Sequence, residues 1–353
     1  MSVGGKAAGT GLSVLKMKRY GFLYDKVIAP DNLREAFFKV QRGKSGRKDI
    51  EAYRADLEEN ISFLHQSLQQ GTYRTGIYNT FTIYDPKERL ISAASVADRI
   101  VHHAIINICG DIFERYQVPF SYACRRGKGT FAAIEKAHCH TSRYAWYLKL
   151  DVRKYFDNIH HEVLASFLQR IFKDRRLLWL LQAIVESYAV TPCRGIPIGN
   201  LTSQYFANLY LSYADRYLVH ELKIPAYIRY MDDMLLWSDN KNELIEKGAA
   251  LEKFVGDRLR LQLKPFVLNR CSHGLPALGF VLFPDQIRLN GRSKRRFERK
   301  MRENCFSYAA GGIDQVQFAA KMEALYAFIQ HGSWHTIASR QMEKIRAAVG
   351  MEI

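Results

Sequence analysis

The sequence predicts an α+β chain, with a central sheet framed by helices and a helical module at the C-terminus. Three observations carry that prediction. Strand-like runs fall near residues 79–92, 144–152 and 227–237, separated by stretches of helical periodicity. Helical patterns dominate both ends, and no internal repeat is visible. The 353 residues are 48% hydrophobic and 25% charged, which suits a globular chain of two or three subdomains.

In chain order, residues 1–14 are small and Gly-rich and predict no core element. From about 31 to 70 the pattern is helical, with Asp31 as the expected N-cap and Leu33, Phe37 and Val40 at helical spacing. QRGKSGRKD (41–49) is a basic connector. NTFTIYDPKERLIS (79–92) alternates and turns at Asp85-Pro86, a hairpin signature. Residues 95–115 and 129–140 read as helices, and YAWYLKLDV (144–152) as a strand ending in Asp151. Helices follow at 160–171, 174–188 and 202–222, the last with Thr202 and Ser203 as its cap. After IRYMDDMLLW (228–237) come a helix at 240–258, short strands near 261–269 and 277–289, and a helical tail from 291.

The formal net charge is +17, from 52 Lys and Arg against 35 Asp and Glu. Such an excess favours a polyanionic partner, either nucleic acid or an anionic membrane surface. No apolar run reaches the ~18 residues a membrane span needs, and neither a signal-peptide core nor a lipidation motif is evident. The six cysteines are scattered without a CxxC pair, which argues against a disulfide framework or zinc ribbon and for a reducing, cytoplasmic setting. His138-Cys139-His140 lacks a second ligand pair and reads as a polar helix end.

The chemistry concentrates in IRYMDDMLLW. Residues 227–231 and 234–237 read as strands with Asp232 and Asp233 in the turn. Adjacent carboxylates in an apolar setting repel and are costly to desolvate, so at least one tends to protonate. A divalent cation inverts that balance, and Mg²⁺ favours a few carboxylates together with phosphate oxygens. Asp151 at a strand end supplies the third carboxylate. Three carboxylates at adjoining strand ends suit two ions about 4 Å apart, the arrangement that activates a hydroxyl and stabilises a leaving phosphate. A solvated Asp-Asp turn is the plain alternative. The apolar flanks, the second Asp-bearing strand and the positive charge weigh against it. Asp157 reads as a loop or capping residue.

These residues carry a family resemblance. Tyr230-Met231-Asp232-Asp233 resembles the YxDD box of reverse transcriptases, and Asp151 with Phe156 five residues later resembles their preceding motif. PKERLISAASVADRIVHHAI (86–105), SYACRRGKGTFAAI (121–134), GIPIGNLTSQYFANLYL (195–211) and LPALGFVLF (275–283) resemble, in family order, blocks of group II intron and related bacterial enzymes. The last is similar to the primer grip. The resemblance implies a right-hand polymerase fold: an extension at 1–30, fingers with the start of the palm at 31–142, a palm at 143–290, and a basic helical thumb at 291–353. The palm would be a ferredoxin-like antiparallel sheet with helices, bearing the catalytic aspartates and primer grip.

By the resemblance, Asp151, Asp232 and Asp233 are catalytic and ligate two Mg²⁺ ions, with Mn²⁺ as an alternative. Asp233 is the more supporting member, and the Val152 carbonyl is a further ligand. Lys87 and Arg89 approach the incoming dNTP, where paired cations would neutralise charge on the pyrophosphate. A solvated hairpin tip is the plain reading of that pair. Phe156 is the steric gate against a 2′-hydroxyl, with core packing as the alternative. Ile198 stands where most reverse transcriptases carry Gln, and Gln204 replaces their usual Pro. Both belong to the dNTP-binding set. Arg99, Arg125 and Lys128, with Arg292, Lys294, Arg295, Arg296 and Arg299, are expected on nucleic acid. Arg99 could instead make a helix-surface ion pair, with Asp98 as a candidate partner. GRSKRRFERKMR (291–302) carries seven basic residues against one Glu, more than a merely solvated face needs. LQLKPFVLNR offers Lys264 where the family often has a lysine after the YxDD hairpin, with no general-acid role assigned.

GIPIGNLTSQ resembles the version found in diversity-generating retroelements. That implies copying of a template-repeat RNA into cDNA with errors at adenines, leading to mutagenic retrohoming. The usual partner there is a small basic pentameric accessory protein. The alternatives are a retron-like, phage-defence or group II intron-type reverse transcriptase, or a non-catalytic RNA-binding scaffold.

Overall fold

Leu33, Ala36, Phe37 and Val40 recur on one side of a helix, and that side is fully buried. The computed structural model describes residues 18–44, 46–84 and 88–329. They fall into two compact units: residues up to 115 with 156–210, and residues 116–155 with 211 onward.

The first unit is mainly helical. It contains α1 (Tyr24–Ile28), α2 (Pro30–Gln41), α3 (Lys48–Ala55), α4 (Leu57–Gln69) and α5 (Val96–Arg115), with a hairpin of β1 (Asn79–Ile83) and β2 (Arg89–Ala93) between α4 and α5. α8 (His161–Ile171) and α9 (Arg175–Glu186) return to it. Its helices pack because each has one apolar face. α2 lies on α5, whose Ile100, Val101, Ala104 and Ile105 are buried. Two local expectations are corrected. α2 starts at Pro30, with Ala29 in the cap position and Asp31 inside the first turn, paired to Arg34. Proline suits that first position because the N–H it lacks would be unpaired anyway. An unexpected helix, α1, forms before residue 30. The Asp174 carboxylate holds it by accepting from Leu23 N at 2.8 Å and Tyr24 N at 3.0 Å while also capping α9.

The second unit is built on a four-stranded antiparallel sheet of β3 (Trp146–Asp151), β4 (Ala226–Tyr230), β5 (Asp233–Ser238) and β6 (Val267–Arg270), in the order β4-β5-β3-β6. One face carries Tyr147, Ile228, Leu235 and Trp237. It packs with α6 (Thr130–Arg143), the small sheet β7 (Leu275–Ala277), β8 (Phe280–Leu282) and β9 (Ile287–Leu289), and the helices α12 (Gly291–Ala309) and α13 (Gln315–Ile329) in one hydrophobic cluster. The other face presents Leu148 to α11 (Lys241–Leu259). A Cβ on Gly248 of that helix would lie 2.7 Å from Leu148 Cδ2, so glycine sets the close approach. Residues 261–266 form no continuous strand. The strand expected near 261–269 forms only at its end, as β6, with an isolated bridge between Val152 and Leu263 before it.

The short helix α7 (Tyr155–Asn158), which contains Asp157, and α10 (Leu201–Arg216) run from one unit into the other. α10 begins at Leu201, so Thr202 and Ser203 sit inside its first turn, not at its cap, and a π-helical turn (Tyr217–Glu221) continues it. All six cysteines are free, and His138-Cys139-His140 lies in the second half of α6, with the His140 ring 5.1 Å from that of Trp237. Among the described residues, no helix is long and apolar enough to cross a membrane. The expected tip residue Lys87 and the tail beyond residue 329 lie outside the described residues.

Candidate active site

Antiparallel register is what gathers the acidic residues. Asp151 ends β3 directly opposite Asp233, which opens β5, and Asp233 in turn pairs with Tyr230 at the end of β4. The hairpin loop is therefore Met231-Asp232, and Asp233 is a strand residue, not a turn residue as its position beside Asp232 suggested. Met231 has φ +54°, a conformation that a two-residue hairpin usually gives to glycine. A side chain held there costs about 1–3 kcal/mol of local strain.

Two lysines share the site. Lys264 Nζ lies 2.6 Å from Asp151 Oδ2, and Lys149 Nζ lies 3.4 Å from Asp233 Oδ1. The Lys264 backbone N–H also donates to the Asp151 carbonyl at 2.9 Å, which anchors the lysine beside the strand end. Burial pushes Asp232 up to about 6, with the nearby Asp233 and Asp151 charges adding to the effect. Val152, one residue past Asp151, is buried and bridged to Leu263.

Among the described residues, no three His, Cys, Asp or Glu side chains are gathered in a form that could hold a metal ion. Lys264 and Lys149 each pair with one oxygen of Asp151 and Asp233. The donor set nevertheless fits a hard cation. Asp151 Oδ1 is buried without a hydrogen-bond partner, and Asp232 carries a raised carboxyl beside two further carboxylates. All the side-chain donors are oxygens, as Mg²⁺ or Mn²⁺ prefers.

Beneath the loop is a feature that sequence reading missed. Arg229 is completely buried. Its Nε and Nη2 each lie 2.7 Å from an Asp215 carboxylate oxygen, and Nη1 donates to the Met231 carbonyl at 2.9 Å. Tyr227 OH donates to Asp215 Oδ1 at 2.6 Å. Burial opposes the Arg229 charge, but Asp215 outweighs it and keeps the guanidinium protonated. The available signal was an Arg in the apolar run AYIRY and an Asp in LYLSYADRYL, since a charge inside such a run is seldom left unpaired.

The other expected residues divide between the units. Phe156, Ile198 and Gln204 belong to the first unit, as do Arg89 and Arg99. There the Phe156 carbonyl accepts from Ile196 N at 3.0 Å, and the Ile198 carbonyl accepts from Ser92 N at 2.9 Å. These bonds tie the GIPIGN segment to Phe156 and to β2. Gly199 next to it has φ +121°, and a Cβ there would stand 2.9 Å from Ile91 Cγ2. Arg89 is exposed at the start of β2, and Gln204 is half-buried in the first turn of α10.

Arg99 pairs with Asp49 at 2.7 Å and not with Asp98. The Asp98 carboxylate is engaged instead by Tyr73 OH at 2.5 Å, Ser95 Oγ at 2.8 Å and Gly76 N at 3.0 Å. In the second unit Arg125 donates to the carbonyls of Val118 and Ser121 at 2.6 and 2.7 Å. Lys128 bonds to the Pro119 carbonyl and lies over the Tyr122 ring. Both therefore brace their own loop. On α12, Ser293, Phe297, Met301 and Cys305 face inward at four-residue spacing. That leaves Arg292, Lys294, Arg295 and Arg299 exposed, with Arg299 paired to Glu303 at 3.1 Å and Arg296 half-buried, its guanidinium 5.8 Å from the Phe328 ring centre.

Carboxylates on a β-hairpin beside an Asp-ended strand, on a strongly basic chain, are the kind of donors that nucleotidyl transfer uses. Residues 84–281, more than half of the chain, match the family described as reverse transcriptase (RNA-dependent DNA polymerase). The chain belongs to that family. Its relatives include Protein YkfC of Escherichia coli, 24% identical over 274 residues that make up 73% of this chain and 66% of that protein. Group II intron-encoded protein LtrA of Lactococcus lactis subsp. cremoris is 24% identical over 69% of this chain and 45% of its own length. Nuclear intron maturase 4, mitochondrial, of Arabidopsis thaliana is 25% identical over 67% of this chain and 29% of its own. The chain thus spans less than two thirds of each of these relatives.

Proposed function

We propose that this chain is an RNA-directed DNA polymerase that copies a template-repeat RNA into error-prone cDNA in a diversity-generating retroelement. The observation that carries the polymerase reading is the pairing of Asp151 with Asp233 at the ends of the central strands β3 and β5, with Asp232 in the adjoining loop, within a chain of the reverse transcriptase family. Asp151, Asp232 and Asp233 would hold two divalent ions with the Val152 carbonyl. Bound there, such ions would lower the pKa of the primer 3′-hydroxyl and stabilise the pyrophosphate leaving group. The protein's own part is to fix the carboxylates on rigid strands. Lys149 and Lys264 balance their charge until substrate arrives.

In this reading residues 31–142 act as fingers, 143–290 as palm and 291–353 as thumb. Lys87 and Arg89 neutralise the triphosphate, Phe156 excludes a 2′-hydroxyl, and Ile198 and Gln204 line the nascent pair. Arg99, Arg125 and Lys128 are weaker candidates for direct nucleic-acid contact, because each is committed to an internal partner. The exposed cations of α12 suit a sequence-independent grip on phosphates. Arg292→Ala with Arg295→Ala is expected to weaken binding to a primed RNA. The slope of log affinity against log salt should fall by about 1–2. Fluorescence anisotropy at several salt concentrations checks this, and an unchanged slope removes those residues from the interface.

The adenine-mutagenic purpose rests on GIPIGNLTSQ. An isoleucine offers the nascent pair only shape and dispersion, where Gln could add a hydrogen bond worth ~0.5–1.5 kcal/mol. Ile198→Gln is therefore expected to lower misincorporation opposite template adenine by about fivefold. Sequencing of cDNA copied from a defined RNA reads this directly, and an unaltered adenine spectrum would exclude Ile198 as a cause. The similarity to LtrA and to the maturase favours one second reading, an intron-type reverse transcriptase. A neighbouring repeat pair differing mainly at adenines separates the two, and a small basic pentameric partner belongs only to the first.

A further inference from the structure

The Met231-Asp232 loop joins the ends of β4 and β5, and its left-handed residue is Met231, not a glycine. What holds the loop comes from the opposite face of the sheet. Register places Asp151, Asp233 and Tyr230 on one face of their strands, whereas Tyr227 and Arg229 alternate to the other, toward Asp215 of α10.

The Arg229 backbone is fixed on both sides. Its N–H donates to the Phe120 carbonyl at 2.9 Å, and its carbonyl accepts from Tyr122 N at 2.9 Å, so residues 120–122 cover the edge of β4. Its guanidinium is fixed by the two-pronged pair with Asp215, which Tyr227 completes. A third prong, Nη1, reaches the Met231 carbonyl at 2.9 Å, the peptide oxygen immediately before Asp232.

We propose that Arg229, locked by Asp215 and Tyr227, is a positioning residue that sets the orientation of the Met231-Asp232 peptide and so the aim of the Asp232 carboxylate at the metal ions. The inference rests on the reverse transcriptase reading of the site. Arg229 is fully buried and acts through the loop. The role needs the planar fork: two nitrogens go to Asp215 while a third holds Met231. A lysine keeps the charge beside Asp215 but has no rigid fork with which to span both partners.

The test compares full-length wild-type protein with Arg229→Lys and with the apolar triple variant Tyr227→Phe, Asp215→Leu, Arg229→Met. The triple variant removes the whole buried pair, a replacement that often preserves folding, so it serves even where Arg229→Lys is unstable. Circular dichroism and a thermal melt establish folding. Primer extension under Mg²⁺ titration then gives kcat, the dNTP KM and the Mg²⁺ half-saturation point.

The expected result is a folded variant with kcat down roughly tenfold to a hundredfold, since a misaimed catalytic group of about 1 Å costs on that scale. The Mg²⁺ half-saturation should rise severalfold, with the dNTP KM little changed. A purely structural pair would lower the melting temperature and leave kcat and Mg²⁺ dependence of the folded protein intact. Wild-type kcat and Mg²⁺ half-saturation in either folded variant overturns the proposal. Asp232→Asn runs alongside as the control. If it extends primers normally, the reverse transcriptase reading of the site itself fails. If it is inactive while the folded Arg229 variants match wild type, only the positioning role fails.

Discussion

Asp232→Asn is expected to stop dNTP incorporation while making the metal-free protein more stable. The activity loss should reach roughly 10²–10³-fold or more, the scale of removing one electrostatic stabiliser from a transition state. The stability gain follows from the same geometry. Burial, Asp233 and Asp151 together raise the Asp232 carboxyl from 3.8 to about 6. The folded protein therefore binds a proton there more tightly than the unfolded chain does. Stability from this group is present below about 3.8 and is lost as pH rises to about 6. At neutral pH the ionised carboxylate opposes folding by about 1–3 kcal/mol, after allowing for solvent at the loop. Asparagine removes that charge. Thermal melts in EDTA at pH 7.5 should show the variant a few degrees above wild type. A lower melting temperature would mean that Asp232 is stabilised by partners and is not a strained, cation-seeking group.

The second large effect lies in the helical unit and has the opposite sign. His102 on α5 is fully buried, and neither ring nitrogen has a hydrogen-bond partner. Burial lowers it from 6.5 to about 4, against a partial offset from Asp98 and with His103 adding to the shift. Between those values the unfolded chain takes up a proton that the folded protein refuses, so stability falls as pH drops from about 6.5 to about 4. The shift corresponds to about 3 kcal/mol for this one ring. His102→Leu should flatten that acid limb, measured as the urea midpoint at pH 7.5 against pH 5. The same slope in the variant would assign the acid sensitivity to other groups. Asp232 gains stability over part of the same range, so the Asp232→Asn protein should lose stability in acid more steeply than wild type.

His102 and the three aspartates differ in how far sequence revealed them. Asp151, Asp232 and Asp233 were legible because charges inside apolar strand patterns have few explanations, and strand periodicity implied that the two segments could pair. The pairing register was not legible. One residue of slip would turn Asp151 to the opposite face, and only the paired strands fix Asp233 opposite it. The helices announced themselves by apolar periodicity, whereas their starts were misplaced at Asp31 and Thr202. Capping preferences there yielded to Pro30 and to the chain path into Leu201. Strand pattern failed at 261–266, where only Leu263 bridges. Lys149 and Arg229 looked like ordinary interruptions of strands. Their partners, Asp233 and Asp215, lie 84 and 14 residues away by sequence number, and only folding brings them together. His102 was invisible for a related reason. A histidine in ADRIVHHAI can face water or core equally well until α5 is packed.

The central claim is that this chain joins deoxynucleotides on an RNA template at the Asp151, Asp232 and Asp233 site. The direct measurement is extension of a labelled DNA primer on a defined RNA by the purified full-length protein, with dNTPs and Mg²⁺. The account predicts templated products that vanish on chelation, return with Mg²⁺ or Mn²⁺, and are absent with Asp232→Asn. Templated extension that survives in Asp232→Asn, or no incorporation by wild type with either ion, would contradict it.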